Sequence, residues 1–117
     1  MSNGFMAVKN DGTLWGCGYN YSYALGKTGL ATSAKYSSPI QIGSVTTWAS
    51  ISCKPYGWAG LQTDGSLWIC GYNYYGEVGN GTTSAAGSGI TSPVQIGAGT
   101  GLTWNSVSLA STSAYGV

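Results

Sequence analysis

An all-β fold built from repeated sheets is what this sequence predicts, and three observations predict it. Glycine and aromatic content are high while charge is scarce: 20 Gly, 13% aromatic and only 6% charged among 117 residues, against roughly a quarter charged in a typical soluble domain. Apolar residues alternate with polar ones over short runs bounded by Gly, Pro and Asp-Gly, the pattern of half-buried strands joined by turns. Finally, an eleven-residue block occurs twice, as DGTLWGCGYNY from Asp11 and as DGSLWICGYNY from Asp64. Disorder does not compete as a reading, because five Trp, nine Tyr and a 43% hydrophobic share supply the apolar surface that offsets ordering entropy.

The repeat sets the order of the elements. From Asp11 to Asp64 the step is 53 residues; SSPIQIG ending at Gly43 returns as TSPVQIG ending at Gly97, and TTWASIS ending at Ser52 returns as LTWNSVS ending at Ser108, at steps of 54 and 56. Small insertions therefore fall in the connections, as expected for surface loops of a repeat protein. PIQIG, PVQIG, WASIS and WNSVS alternate, and TLWGC and SLWIC are rich in strand formers. Asp11-Gly12 separates GFMAV from TLWGC and Asp64-Gly65 separates WAGL from SLWIC, so each marks a hairpin. Pro39 and Pro93 fall at strand starts, where a missing N–H does least harm.

Read in order, the unit is a Pro strand, a Trp strand, a short apolar strand, an Asp-Gly turn, a second Trp strand and a Gly-Tyr-Asn loop. Four antiparallel strands in about 53 residues make one blade of a β-propeller. The expected organisation is a single repeat region, with a leading half-blade over 1–30, a complete blade over 31–83 and a trailing partial blade over 84–117. The chain opens on GFMAV and closes on SAYGV, both of which match the third strand of the unit. About two blades leave apolar faces bare, so the expected covering is copies of the chain itself or the missing blades of a longer chain. Sharing of strands between copies would give a ring of six or eight blades or an open filament.

The residues Asp64, Gly65, Leu67, Trp68, Gly71, Asn73, Gly76, Val78, Gly79, Asn80 and Gly81, followed by Pro93, Val94 and Ile96, resemble the repeat of the regulator of chromosome condensation (RCC1) family. The first repeat matches less closely, with Tyr23 and Ala24 in place of the loop Gly and its polar neighbour, while Leu25 and Gly26 keep the loop's end. Cys17 and Cys70 stand where the family usually carries Trp, and Lys54 and Gly57 where it tends to have a Gly and then a His. The resemblance implies a propeller fold and, for most relatives, a binding scaffold. The name-giving member is a nucleotide-exchange factor that docks on chromatin, but no exchange-factor residue carries over by position.

Composition narrows the chemistry. Catalysis needs a proton carrier or an activated nucleophile, yet the chain has no His and three carboxylates, Asp11, Asp64 and Glu77, two of which sit in turns. We therefore expect no enzymatic activity, no metal and no cofactor. The net charge is +1 and every cation is a Lys, so no Arg is present to fork onto a phosphate or a guanine edge and nucleic acid is not an expected partner. No run approaches the length of a membrane span. Cys17, Cys53 and Cys70 read as small buried strand residues.

What remains for binding is a pair of loops, GYNYSYALG from Gly18 and GYNYYGEVG from Gly71, which concentrate Tyr and Asn in the mixture that contact surfaces use. Tyr19, Asn20, Tyr21, Tyr23, Tyr72, Asn73, Tyr74 and Tyr75 are the expected contact residues, toward protein or glycan. The four repeat-equivalent tryptophans, Trp15 with Trp68 and Trp48 with Trp104, are expected in the core between blades. The leading functional expectation is a structural or interaction module on a virion or outside the cell. The alternatives are a cytoplasmic RCC1-like regulatory propeller and a lectin-like one.

Overall fold

Among the described residues, seven strands account for the regular structure. The computed structural model describes residues 4–20, 24–27, 29–31, 33–54, 57–72, 89–97 and 101–106. The strands are β1 (Gly4–Val8), β2 (Leu14–Tyr19), β3 (Lys35–Gln41), β4 (Trp48–Lys54), β5 (Gly57–Gln62), β6 (Leu67–Tyr72) and β7 (Gly89–Ile96). They form two antiparallel sheets, a three-stranded one in the order β1-β2-β3 and a four-stranded one in the order β4-β5-β6-β7.

The sequence repeat is a structural repeat. Phe5 pairs with Cys17 and Ala7 with Trp15 in the first sheet, as Trp58 pairs with Cys70 and Gly60 with Trp68 in the second. An irregularity interrupts β2–β3 between Gly16 and Gly18 and β6–β7 between Ile69 and Gly71, the same place in both units. Such a bulge increases local twist, which a propeller blade requires.

Both Asp-Gly turns close in one way. Gly12 N–H donates to the Lys9 carbonyl and Lys9 N–H to the Thr13 carbonyl; Gly65 and Gln62 repeat this with Gln62 and Ser66. Asp11 Oδ1 accepts from Thr13 N–H at 3.0 Å and from its hydroxyl at 2.6 Å, and Thr13 Oγ1 in turn accepts from the Trp15 indole at 2.8 Å. Asp64, Ser66 and Trp68 form the same relay at 2.9, 2.6 and 2.9 Å. Gly12 sits at φ 84°, and a Cβ there would collide with the Thr46 carbonyl, so glycine is required both for the backbone angle and for close approach of the next blade.

The blade boundary differs from the expected one. We expected the Pro strand to open a blade over 31–83; instead β3, which contains Pro39, closes the first sheet on β2, and β7, which contains Pro93, closes the second on β6. The chain crosses between sheets at Ile42–Thr47, where Ile42 N–H still extends the first sheet to the Leu14 carbonyl and Trp48 N–H donates to the Gly12 carbonyl. The partition is therefore β1-β2-β3, then a complete blade from Trp48 to Ile96. Trp104 N–H donates to the Gly65 carbonyl, repeating the Trp48 contact and marking the start of a third unit.

Between the sheets lies a core of Met6, Leu14, Leu25, Ile42, Trp48, Trp58 and Cys70. Its hub is Trp58, fully buried, whose indole donates to the Leu25 carbonyl across the sheets at 3.2 Å and meets Trp48 edge-on at 5.4 Å between centroids. Ala59, Leu61, Leu67 and Ile69 form a second cluster on the opposite face of the second sheet, as strand alternation dictates.

The expectation for tryptophan holds for Trp48 and in part for Trp68, which packs against the core between the sheets. Trp15 and Trp68 are half-buried and tied to their turns, and Trp104 is 38% exposed. Trp58 is the tryptophan that the sheets share, and it is the one whose repeat partner, Phe5, is not a tryptophan. The three cysteines form no disulfide.

Candidate partner-contact site

The Gly-Tyr-Asn segment leaves the end of β2, and the structure gives its residues different tasks. Asn20 is fully buried. Its amide nitrogen donates to the Ala31 carbonyl at 3.1 Å and to the Leu30 carbonyl at 3.4 Å, its carbonyl oxygen accepts from Leu25 N–H at 3.0 Å, and its backbone N–H donates to the Ala34 carbonyl. Every polar atom of that side chain points into the loop, because a buried amide must satisfy both ends. Asn20 is thus a loop fastener, which corrects its assignment as a contact residue.

The fastening has a structural effect. It holds Leu25 where its carbonyl meets the Trp58 indole, and it places Gly26, at φ 76°, so close that an added Cβ would lie 2.6 Å from the Cys70 sulfur. The loop is therefore the socket into which the next blade docks.

Tyr19 behaves otherwise. It is half-buried at the end of β2 and pairs with Lys35 at the start of β3, while Gly18 pairs with Tyr36. The Lys35 ammonium lies 5.6 Å from the Tyr19 ring centroid, a cation–π distance. Gly18, Tyr19, Lys35, Tyr36 and Ser37 line an open groove of about 600 Å³, with Lys35 and Ser37 exposed and Tyr36 half-buried. Two phenol rings and one cation make a surface suited to a partner offering carboxylates beside apolar groups. In the second blade Tyr72 is also half-buried, and it faces Gly89 in the register. Tyr21, Tyr23, Asn73, Tyr74 and Tyr75 lie outside the described residues.

Sequence reading missed Lys35 and Tyr36. The signal was available, since Lys35 is one of four cations in the chain and the repeat places Gly89 and Ile90 at the matching positions. A larger groove of about 660 Å³ runs along the seam between the sheets, lined by Leu14, Ile42, Val45, Trp48, Trp68 and Pro93 among others. Its walls are the interblade core, and Lys27 beside it is held by the Gln41 carbonyl at 3.1 Å.

The titratable groups offer structural chemistry. The hydroxyl and then the backbone N–H of Thr13 hold the Asp11 carboxyl below the usual carboxylate range, and those of Ser66 do the same for Asp64. Both acids are ionised turn staples. Among the described residues no three His, Cys, Asp or Glu side chains gather as metal ligands, and no helix is long and apolar enough to cross a membrane.

Comparison with solved structures decides the architecture. Prp20p from Saccharomyces cerevisiae superposes with a TM-score of 0.73 at 20% identity, over 93% of this chain and 27% of its own. The fold is that of an RCC1-like β-propeller segment. Human WBSCR16 superposes with a TM-score of 0.60 at 22% identity, over 80% of this chain and 22% of its own. This RCC1-like chain thus spans about a quarter of the length of the propellers it matches. No protein-family model matches it, and no curated protein is significantly similar to it. The likeness lends nothing to the virion or extracellular setting expected from composition, because low charge and abundant Gly, Ser and Tyr are equally the needs of tightly packed blades.

Proposed function

We propose that this RCC1-like chain is a non-enzymatic protein-interaction module of an intracellular regulatory propeller, and that the Tyr19–Lys35–Tyr36 groove is its contact surface. The observation that carries this reading is the groove itself: an amphipathic concavity at the end of the β2–β3 pair. Tyr21 and Tyr23, close to Tyr19 in sequence, and Tyr72, Asn73, Tyr74 and Tyr75 of the second repeat are proposed as further contact residues. Likeness to Prp20p, studied for its binding to Gsp1p and histones, supports a protein as the partner in preference to a glycan.

Calorimetric titration of the chain with Gsp1p and with histones tests the proposal. Tyr19→Ser and Lys35→Gln should each weaken whichever interaction is found about tenfold, the scale of a contact hot spot, while leaving the thermal midpoint unchanged. Equal affinity of both variants and the parent chain would remove the groove from the interface, and binding of a glycan panel in place of either protein would reassign the surface as lectin-like.

A further inference from the structure

The seam between the two sheets is closed at one place and open at another. At Trp58 and Leu25 the sheets are bonded together, but beside Leu14, Ile42 and Trp48 the same seam widens into a groove of about 660 Å³. One wall belongs to the second sheet. Trp68 pairs with Gln95, and Pro93, two residues back along β7, shares that face by strand alternation, so an indole and a pyrrolidine ring stand on one wall. The Trp68 N–H is already given to the Ser66 hydroxyl at 2.9 Å, which leaves the ring to offer an apolar surface. Opposite are Leu14 and Ile42 of the first sheet, linked by the bond from Ile42 N–H to the Leu14 carbonyl.

Polar groups in this groove are few and only one is charged. Lys27 lines it and donates to the Gln41 carbonyl at 3.1 Å, a bond that holds the ammonium in place and uses one of its three hydrogens. Among the described residues the carboxylates are those of Asp11 and Asp64. Each is bonded within its own turn, and neither lines the groove. At the mouth Val45 is 39% exposed, an apolar side chain on a crossing otherwise made of small and polar residues. Apolar and aromatic walls, a volume within the roughly 300–1,000 Å³ of small-molecule sites and a few placed polar groups together describe a ligand pocket.

From this arrangement we infer that the interblade groove binds a small aromatic carboxylate. The ring lies between the sheets against Trp68 and Pro93, with Val45 over its outer edge, and the carboxylate accepts from the hydrogens of Lys27 that Gln41 leaves. Such a charge-assisted bond is stronger between apolar walls than in open water, so the anion is preferred to a neutral isostere. The blade pattern itself asks for no cation here, since Asn80 stands at the sequence position matching Lys27. Because the ligand touches both sheets, it binds the assembled seam, and the thermal midpoint should rise with its concentration.

Calorimetric titration of the full chain with 2-naphthoate and with the uncharged 2-naphthamide tests the assignment. The naphthoate should bind about tenfold more tightly. Lys27→Gln should weaken naphthoate about tenfold and leave naphthamide unchanged. Val45→Asp, an exposed change that sets a carboxylate at the mouth, should also weaken naphthoate selectively, and it decides the matter alone if Lys27→Gln fails to fold. Ser92→Trp should abolish both by filling the groove, with circular dichroism confirming that the sheets of each variant are intact. Absence of naphthoate binding, equal affinity for the two probes, or a naphthoate affinity unchanged by Lys27→Gln would overturn the inference. So would loss of naphthoate binding in Lys35→Gln, which would place the probe in the Tyr19 groove.

Discussion

Replacement of Trp58 by Phe tests whether a single side chain joins the two blades. Phenylalanine is the residue that the first repeat carries at this position, so strand preference and sheet register are preserved. Two losses follow. The Leu25 carbonyl, buried and bonded to the indole at 3.2 Å, loses its donor, which costs about 1–3 kcal/mol for an unsatisfied buried group. The smaller ring leaves a void beside Trp48 and Gly26, worth about 1 kcal/mol for each methyl-sized gap. Together these predict destabilisation of about 2–4 kcal/mol, and Trp58→Ala should exceed it, at about 3–5 kcal/mol. Urea unfolding followed by tryptophan fluorescence reads the loss as a lower midpoint, at one fixed protein concentration so that any association contributes equally. A Trp58→Phe midpoint within about 0.5 kcal/mol of the parent would refute the assignment of Trp58 as the hub of the seam.

Three further outcomes follow from the same structure. Asn20→Ala should lower stability by about 2–4 kcal/mol, because Leu25 N–H and the Ala31 carbonyl both lose their partner; a thermal midpoint equal to the parent's would return Asn20 to the exposed surface. Gly26→Ala should destabilise by about 2 kcal/mol or more, through the left-handed backbone angle and the Cys70 sulfur in its way, as checked by urea titration. The depressed carboxyls of Asp11 and Asp64 contribute stability that is present above about pH 4 and is lost as pH falls through their lower folded-state values. The Asp11→Asn, Asp64→Asn double variant should therefore show a flatter acid limb than the parent in midpoints measured from pH 6 to pH 2.

How much of this was legible in the sequence depends on which physical signal each feature leaves. The strands and Asp-Gly turns were readable because alternation and positive-φ glycine are local properties. The boundary between blades was not, because a repeat fixes a period and leaves its phase open: the Pro strand precedes the Trp strand at one point of every period and follows it at another. What sets the phase is the length and bonding of the links. Ile42–Thr47 is a short crossing anchored at both ends, whereas the path from Tyr19 to Lys35 is long enough to return alongside β2. The burial of Asn20 was hidden too, since Asn and Tyr alternate in GYNY and composition cannot say which of them turns inward. For Tyr21, Tyr23, Asn73, Tyr74 and Tyr75 the sequence is still the whole account.

The internal repeat also separates what folds the chain from what sets it apart. The carboxylate–hydroxyl–indole relay is present in both units, at Asp11-Thr13-Trp15 and Asp64-Ser66-Trp68, and a feature that two units need alike is a requirement of the blade. Positions at which the units diverge are free of that requirement. Lys35 and Tyr36 stand against Gly89 and Ile90, and Phe5 stands against Trp58. The first divergence falls at a groove open to solvent and exchanges a small residue and an aliphatic one for a cation and a phenol without altering the strand pairing. The second exchanges the hydrogen-bonding ring of Trp58, buried in the seam, for the purely apolar ring of Phe5, exposed on the first sheet. Both divergences lie on the first sheet of this RCC1-like segment, so the blade pattern itself requires neither Lys35 and Tyr36 nor Phe5.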